Sequence, residues 1–501
     1  MSLETGDTPP EAPAGDEPEQ PRRDMTQRTV AGMAWVYSSY VASRAMVLLI
    51  TAILARLLTP EDFGLVAIAL SFMVFLDVAR YIGPTEWLVI VEEDKVHEWA
   101  ETVWTVNVAV GLTLSAITAA LGPAAASFFD EPELVTIMPV LGLNFLLGSL
   151  AYTHDALAQR RMNFKARTAA ELMQVAARGV VGISLALSGA GVWSLVLGYL
   201  VGTSAKTITL WTLVSWRPHF KPRREHLPRL WKFGGALAGV SLIAASLSQV
   251  DRIVVGRVLG TAELGFYVLA TRLPEVLIIS LSVVAGQVLF PVFARFKEAE
   301  LGRPFLTALH YSLVVALPAA AFVAVLASPL VRIAFGPQWQ PAVGAMQVLA
   351  LWAMASPLAQ VCGTVYKALG RADILFKLGL LQIALWIPPV LLLAPRGIVA
   401  VAAAQAVVSG LMAILSLTIQ GRRLNVTRRQ VFGVVWPPVL AAAVLAFALW
   451  CVTRVVAAGG AQIVCGAAVG AVIYIGLLWL WSRPTITRIA GAIRPRLQAG
   501  R

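Results

Sequence analysis

The sequence predicts an all-α polytopic membrane protein of about 14 transmembrane helices, arranged as two parallel six-helix lobes and two further C-terminal helices. Three observations lead to this fold class: the composition, the number of apolar runs, and a motif that occurs twice. The chain of 501 residues is 58% hydrophobic and 14% charged, with a mean hydropathy of +0.74. This composition is far more apolar than that of soluble domains and excludes that class.

Each apolar run is close to the roughly 20 residues that a helix needs to cross a bilayer. Charged residues, proline or glycine separate one run from the next. The runs lie near 31–55, 63–83, 103–122, 134–153, 169–188, 192–214, 235–255, 264–290, 306–328, 341–366, 373–394, 397–419, 433–453 and 461–481.

Basic residues are distributed unevenly between the loops on the two sides of the predicted membrane. With the N-terminus inside, the tails and even-numbered loops hold about 29 of the 40 Lys and Arg residues, and the odd-numbered loops about 5. The positive-inside rule therefore predicts that both termini lie in the cytoplasm. We expect a multi-pass protein of the cytoplasmic (inner) membrane. The formal net charge of +12 reflects this topology, and we expect no nucleic-acid partner.

One motif occurs twice. ARLLTPEDFG at Ala55–Gly64 and GRVLGTAELG at Gly256–Gly265 align without a gap at a spacing of 201 residues, so that Gly64 corresponds to Gly265. Both copies lie in a short outer loop between the first and second helices of a set, and six predicted spans separate them. An even number of spans preserves orientation, which predicts parallel repeats related by an axis along the membrane normal.

The motif also contains the residues of a helix start. Thr59 is suited to the cap, Pro60 to the first helical position, and Asp62 to the positive end of the helix dipole. In the second copy, Gly260 or Thr261 is expected at the cap.

A second, weaker echo relates Ser127–Leu143 to Ile333–Leu349, before the fourth helix of each lobe. Residues 1–24 are rich in Pro, Glu and Asp and cannot bury enough apolar surface to fold. The predicted organisation is a disordered cytoplasmic tail at 1–24, an N-lobe at 25–214, a basic cytoplasmic linker at 215–232, a C-lobe at 233–420, two additional helices at 421–482 and a basic cytoplasmic tail at 483–501.

The segment VDRIVVGRVLGTAELGFYVLATRL at Val250–Leu273, followed by VLFPVFARF at Val288–Phe296, resembles the second-lobe opening of bacterial polysaccharide biosynthesis proteins. These are lipid-linked oligosaccharide flippases of the multidrug/oligosaccharidyl-lipid/polysaccharide (MOP) exporter superfamily. Ala55–Ala69 and Gln159–Thr168 are similar to the matching first-lobe features, and the resemblance extends from about Gln27 to Arg423.

The resemblance implies a V-shaped, MATE/MOP-like transporter that works by alternating access. It would move polyprenyl-diphosphate-linked oligosaccharide units across the cytoplasmic membrane for export of exopolysaccharide or an O-antigen-type polymer. The implied partners are this lipid-linked substrate, the bilayer, and a polymerase and glycosyltransferases of the same pathway. It implies no enzymatic activity and no cofactor, while coupling to H⁺ or Na⁺ stays open.

Three alternatives remain: a flippase for the lipid precursor of peptidoglycan, a multidrug exporter of the same superfamily, and a membrane glycosyltransferase. The sequences VDRIVVGRVLG at Val250–Gly260 and QRRMNFKAR at Gln159–Arg167 favour the polysaccharide branch over the peptidoglycan-precursor flippase. An exporter of cationic drugs should have acids in its cavity, whereas the helices here contain an excess of cations. The short outer loops are not typical of membrane glycosyltransferases.

Four basic residues lie within predicted spans: Arg44, Arg178, Lys206 and Arg272. A charge at the centre of a span costs about 2.5–3.5 kcal/mol on insertion scales, so it needs a partner, a water-filled cavity or a function. A lipid diphosphate needs counterions in a low-dielectric core, and arginine matches phosphate oxygens bidentately. We therefore expect these four residues to bind the diphosphate in a central cavity. We expect no metal site in the chain.

Acidic residues in the spans have two interpretations. Asp77, Glu171 and Glu275 are candidates for proton or Na⁺ coupling, or for ion pairs on one helix face, such as Arg272 with Glu275 at i, i+3 and Glu171 with Arg178 at i, i+7. The adjacent Asp251 and Arg252 lie near the predicted outer end of the seventh helix and are candidates for an outer gate or for an interfacial ion pair.

Overall fold

The computed structural model of the protein describes residues 42–78, 85, 87–219, 222–456 and 459–481. The predicted tails at 1–24 and 483–501 lie outside the described residues. Regular structure in the described ranges consists of helices and contains no strand.

Among the described residues, seven α-helices precede the inter-lobe linker. They are α1, whose described part is 42–57, α2 (Pro60–Asp77), α3 (Trp87–Ile90), α4 (Val96–Phe129), α5 (Leu134–Arg160), α6 (Phe164–Leu187) and α7 (Val192–Leu213). The helices after the linker are α8 (Leu227–Leu259), α9 (Thr261–Pro274), α10 (Ser280–Phe293), α11 (Gly302–Val325), α12 (Ala327–Ala334), α13 (Ala342–Ala353), α14 (Ser356–Ala368), α15 (Ala372–Leu393), α16 (Ile398–Arg423), α17 (Arg428–Val455) and α18 (Gly460–Trp481).

Ten of the described helices are long and apolar enough to cross a membrane, with α9–α10 and α13–α14 each counted as one continuous span. The chain is therefore a multi-span membrane protein, as its composition predicts. The remaining four predicted spans correspond to α1, α2, α7 and α8. The total of fourteen spans stays a prediction.

The helix start predicted for the repeated motif is confirmed in the first copy. Thr59 and Asp62 form a capping box, in which the Thr59 N–H donates to Asp62 Oδ2 at 2.9 Å and the Asp62 N–H donates to Thr59 Oγ1 at 3.3 Å. Pro60 is the first residue of α2. In the second copy Gly260 is the cap residue, with φ of +88°, a conformation that glycine adopts without strain.

The helices pack in two groups, one before and one after the linker. In the first group α4 packs against α5, and α7 packs against both α5 and α6. In the second group α11 packs against α13 and α17, and α16 packs against α13 and α15. The principal contact between the groups is made by α2 with α8 and α9. This is the all-α, two-lobe membrane fold that the sequence predicts.

The two copies of the repeated motif contact each other reciprocally. A Cβ atom added to Gly64 would lie 1.9 Å from the carbonyl oxygen of Thr261, and one added to Gly265 would lie 2.0 Å from the carbonyl oxygen of Pro60. Thr261 and Pro60 are themselves equivalent positions of the repeat. Only glycine permits this separation of α2 and α9, so the repeated glycine allows the two lobes to meet at the backbone.

The segments of the second, weaker echo contact the repeated motif, and these contacts also cross between the lobes. The guanidinium of Arg56 donates hydrogen bonds to the carbonyl oxygens of Ile333 and Ala334. The equivalent Arg257 forms an ion pair with Asp130, with Nη1 and Oδ2 at 3.0 Å. Each motif arginine therefore binds the echo segment of the opposite lobe.

Candidate functional site

A cavity of about 370 Å³ lies between the two groups of helices. Its wall is formed by α1, α2, α6 and α7 of the first lobe and by α8 and α9 of the second. The structure brings all four predicted cations to it, namely Arg44 from α1, Arg178 from α6, Lys206 from α7 and Arg272 from α9. Residues separated by more than 200 positions in the chain therefore line one space.

The described wall of this cavity carries an excess of positive charge. Arg252 of α8 is a fifth cation among the lining residues, and Glu171 is the acid among them. All five cations are partly buried, so that neither bulk water nor a bilayer fully surrounds them. Charges in such a space interact more strongly than charges in water, which suits the cavity to an anion.

Tyr199 of α7 positions Arg178. The guanidinium carbon lies 3.4 Å from the centroid of the tyrosine ring, in a cation–π contact. The two helices can come close here because Gly198 has no side chain. A Cβ atom added at this position would lie only 3.1 Å from the Arg178 carbonyl oxygen. The expected pairing of Arg178 with Glu171 is not among the ion pairs of the described residues, although both side chains line the cavity.

Arg272 is paired on its own helix, as its spacing allows. Its Nη1 lies 3.5 Å from Oε2 of Glu275, and the two side chains are 29% and 39% exposed. The pair sits where α9 ends at Pro274 and a π-helical turn, Glu275–Ile279, leads into α10. Proline lacks the N–H that a regular helix needs, and π-helical turns occur frequently at functional sites.

A second cavity, of about 300 Å³, lies within the second lobe. Asp251 and Glu275 line it together with Gln405 of α16. Asp251 is buried and accepts a hydrogen bond of 2.7 Å from the hydroxyl of Tyr267, which also lies 2.9 Å from Oε1 of Gln405. Arg252 lines this cavity as well as the first, and so forms part of the wall between them.

Asp251 and Asp77 do not line the central cavity. Asp251 is eight residues before the end of α8, so it sits roughly 12 Å inside the helix, deeper than its predicted position near the outer surface. Its role with Arg252 in an outer gate stays a prediction. Asp77 lies at the end of α2, outside the lining of both cavities.

The linker between the lobes is attached to the first turns of α4. Arg223 Nη1 lies 2.6 Å and His226 Nε2 lies 3.0 Å from Oε1 of Glu98. The His226 ring stacks on Trp99 with centroids 3.8 Å apart, and the N–H of Arg223 donates to Thr102 Oγ1 at 3.0 Å. Glu98, Glu225 and His226 lie close enough together to hold a metal ion, but Arg223 forms ion pairs with both of these glutamates.

This fold, with a cavity between two helical lobes, is similar to that of solved membrane transporters. The structure resembles that of the lipid II flippase MurJ in an inward closed conformation, with a TM-score of 0.76 and 14% identity over 90% of this chain and 100% of that one. It also resembles an inward-facing multidrug resistance MATE family transporter of the MOP superfamily, with a TM-score of 0.65 and 15% identity over 76% and 94%. These likenesses establish the fold.

The chain belongs to the polysaccharide biosynthesis protein family, which matches residues 53–344, more than half of its length. The succinoglycan biosynthesis transport protein ExoT of Rhizobium meliloti is 28% identical over 364 residues, 70% of this chain and 71% of that protein. The lipopolysaccharide biosynthesis protein WzxC of Escherichia coli is 24% identical over 378 residues, 74% and 75% of the two chains. The teichuronic acid biosynthesis protein TuaB of Bacillus subtilis is 23% identical over 357 residues, 70% and 74%.

Proposed function

We propose that this protein is a flippase that moves polyprenyl-diphosphate-linked oligosaccharide units across the cytoplasmic membrane by alternating access. The observation that carries this proposal is the cavity between the lobes, whose lining contains five cations and Glu171 as its acid. A transported diphosphate supplies the negative charge that such a wall lacks.

The cations act as fixed counterions. Water hydrates the diphosphate at the membrane surface, and the cavity replaces that hydration with guanidinium and ammonium groups so that the charge never enters hydrocarbon. Arg178 is held by the Tyr199 ring, so its side chain is oriented before the substrate arrives. Each bidentate contact of arginine with a phosphate is stronger than a neutral hydrogen bond.

The names of the relatives support a role in polysaccharide export. They concern transport of succinoglycan and biosynthesis of teichuronic acid and lipopolysaccharide, and the family covers the part of the chain that includes most of the cavity. A lipid-precursor flippase for peptidoglycan is the second candidate, because a MurJ-like fold and a cationic cavity suit its diphosphate equally well. A drug exporter for cations is disfavoured by the charge of the wall.

Alternating access requires the two ends of the cavity to open in turn. The reciprocal packing of α2 on α9 separates the cavity from the end of the bundle that the basic-residue distribution assigns to the outside. Release of the substrate on that side then requires Gly64 and Gly265 to move away from the opposite lobe.

We further propose an inner-membrane location with both termini in the cytoplasm, and a polymerase and glycosyltransferases as partners in the pathway.

The coupling of transport to an ion gradient is assigned to acids near the cavities. Glu171 lines the central cavity, and Glu275 lines the cavity of the second lobe while it pairs with Arg272. Protonation or Na⁺ binding at Glu275 would release Arg272 to the substrate, and this links the two events electrostatically. Asp77 lies outside both linings and is the weaker candidate.

The test is transport of a fluorescent polyprenyl-diphosphate-linked oligosaccharide in proteoliposomes that contain the purified protein. We expect transport by the native chain, inhibition by sugar-free polyprenyl diphosphate, and strong loss in Arg178→Gln. Arg454→Gln is the matched control, since Arg454 lies in the last turn of α17, outside the cavity lining. Transport of a cationic dye without transport of the lipid-linked sugar would overturn the proposal.

A further inference from the structure

A groove that the transport cavity does not include lies at the loop joining α16 to α17. Its volume is about 310 Å³, and most of its wall is apolar. Leu417 of α16 and Val435 of α17 form its inner side and pack against the core of the second lobe. The outer side is formed by Ile414 and Phe432.

The outer side of the groove faces away from the protein. The Ile414 side chain is 63% exposed and that of Phe432 is 60% exposed. Phe432 also stacks on Trp436, with ring centroids 5.3 Å apart. Because α16 and α17 are both long and apolar enough to cross a membrane, these side chains lie against lipid, with the aromatic pair near the loop end where aromatic belts occur.

The rim of the groove is basic. The segment Gly421–Arg429 contains four arginines, of which Arg423 pairs with Glu298 at 3.7 Å. Arg422 and Arg428 instead line the groove. In the part of the chain that the structure describes, neither of these two has an acidic side chain within 4.0 Å. Two guanidinium groups that make no ion pair with any described residue therefore lie at the head of an apolar groove.

We propose that this groove binds an anionic diacyl phospholipid, with its phosphate between Arg422 and Arg428 and an acyl chain along Leu417 and Phe432. Basic pockets between spans at a membrane surface attract anionic headgroups, and the apolar wall accepts the chain. With the predicted topology, the lipid comes from the cytoplasmic leaflet. The polyprenyl tail of a transport substrate is a poorer fit, because a hydrocarbon tail has no use for two arginines and its diphosphate belongs in the other cavity.

The proposal does not depend on the transported substrate, so it is tested by binding. Native mass spectrometry of the purified full-length protein, titrated with phosphatidylglycerol or with phosphatidylcholine of the same chains, measures the selectivity for the anionic lipid. One arginine near a membrane surface contributes about 1 kcal/mol, a factor of about five. We expect Arg422→Gln with Arg428→Gln to lower phosphatidylglycerol affinity about 25-fold. Phosphatidylcholine affinity should fall much less, because its choline cation already offsets the charge of its phosphate.

Arg429→Gln is the control, because it removes an arginine charge next to Arg428, in the first turn of α17, at a residue that does not line the groove. It should retain the selectivity. Phe432→Ala should lower the affinity for both lipids, since it removes part of the apolar wall that the acyl chain of either lipid contacts. Three results would overturn the proposal: equal affinity for the two lipids, the same loss in Arg429→Gln as in the double variant, or displacement of phosphatidylglycerol by inorganic phosphate alone.

Discussion

Gly64 and Gly265, equivalent residues of the repeat, each lie against the backbone of the other copy across the contact between the lobes. The carbonyl oxygens that they face, of Thr261 and Pro60, are equivalent in their turn. One motif thus supplies both surfaces of a two-fold contact, as in the interface of a symmetric dimer. The repetition of the motif thus gives the two lobes matching contact surfaces.

Gly64→Ala should prevent the lobes from meeting. The new methyl group would overlap a backbone carbonyl, which cannot rotate away as a side chain can, and overpacking of this kind costs about 1–3 kcal/mol. We expect lower transport and faster labelling, by an impermeant maleimide added from outside, of a cysteine placed at Val66, which lines the cavity. Native cysteines are replaced beforehand.

Gly410→Ala is the control for this change, because Gly410 lies in α16 with no atom within 4 Å of an added Cβ. There the substitution should be neutral or slightly stabilising, since alanine favours a helix over glycine. Equal transport by Gly64→Ala and Gly410→Ala would show that the close contact of the lobes is dispensable.

Arg44→Ala should abolish translocation while the protein still inserts, because an apolar residue is cheaper in a span than an arginine. Arg44→Lys should also be strongly impaired, since an ammonium keeps the charge but loses the bidentate geometry. The measurement is translocated lipid-linked sugar per folded transporter. If Arg44 has only a structural role, both variants will yield less folded protein, and the molecules that do fold will transport at the native rate.

Tyr199→Leu should weaken substrate binding through Arg178, whose guanidinium would lose the ring that it contacts. A cation–π contact is worth about 0.5–2 kcal/mol, so the transport KM should rise roughly two- to thirty-fold with a smaller change in the maximal rate. Tyr199→Phe retains the ring and should behave as the native protein. Impairment of Tyr199→Phe to the same degree would assign the effect to the hydroxyl group instead.

Membrane topology follows from the basic residues and is testable with reporter fusions. Fusions after Lys232 and after Arg429 should report the cytoplasm, and a fusion after Gly189 should report the outside. One span, α7, lies between Gly189 and Lys232, so these two fusions should report opposite sides of the membrane. A cytoplasmic reporter at Gly189 would contradict the assignment of the reciprocal contact to the outer end of the cavity.

The cavity cations were predictable because a bilayer makes buried charge expensive, so a basic residue well inside a span must face a polar space. The depth of Arg252 in its helix was harder to predict. Its apolar run ends near residue 255, whereas α8 continues to Leu259, and those extra residues place Arg252 deeper, against both cavities. Helix ends are the least certain part of such a prediction because polar residues can extend a helix beyond its apolar run.

Contacts between helices could be predicted only in part. A constant spacing reveals that Gly64 and Gly265 are equivalent, but equivalence alone does not determine which residues touch. Tyr199 gave no signal, because a tyrosine in a span is ordinary until a neighbouring helix brings an arginine over its ring. The pairing of Arg272 with Glu275 was predictable because both residues belong to one helix, whose geometry fixes their separation.

The attachment of the linker to α4 determines how force passes between the lobes. A free linker over 215–232 would have a root-mean-square span of about 23 Å and would absorb any rotation of one lobe as slack. Here His226 is tied to Glu98 and Trp99, and α8 begins at the next residue. We therefore expect tilting of α8 to move the first turn of α4 with it, so that the motions of the two lobes are coupled through this short connection.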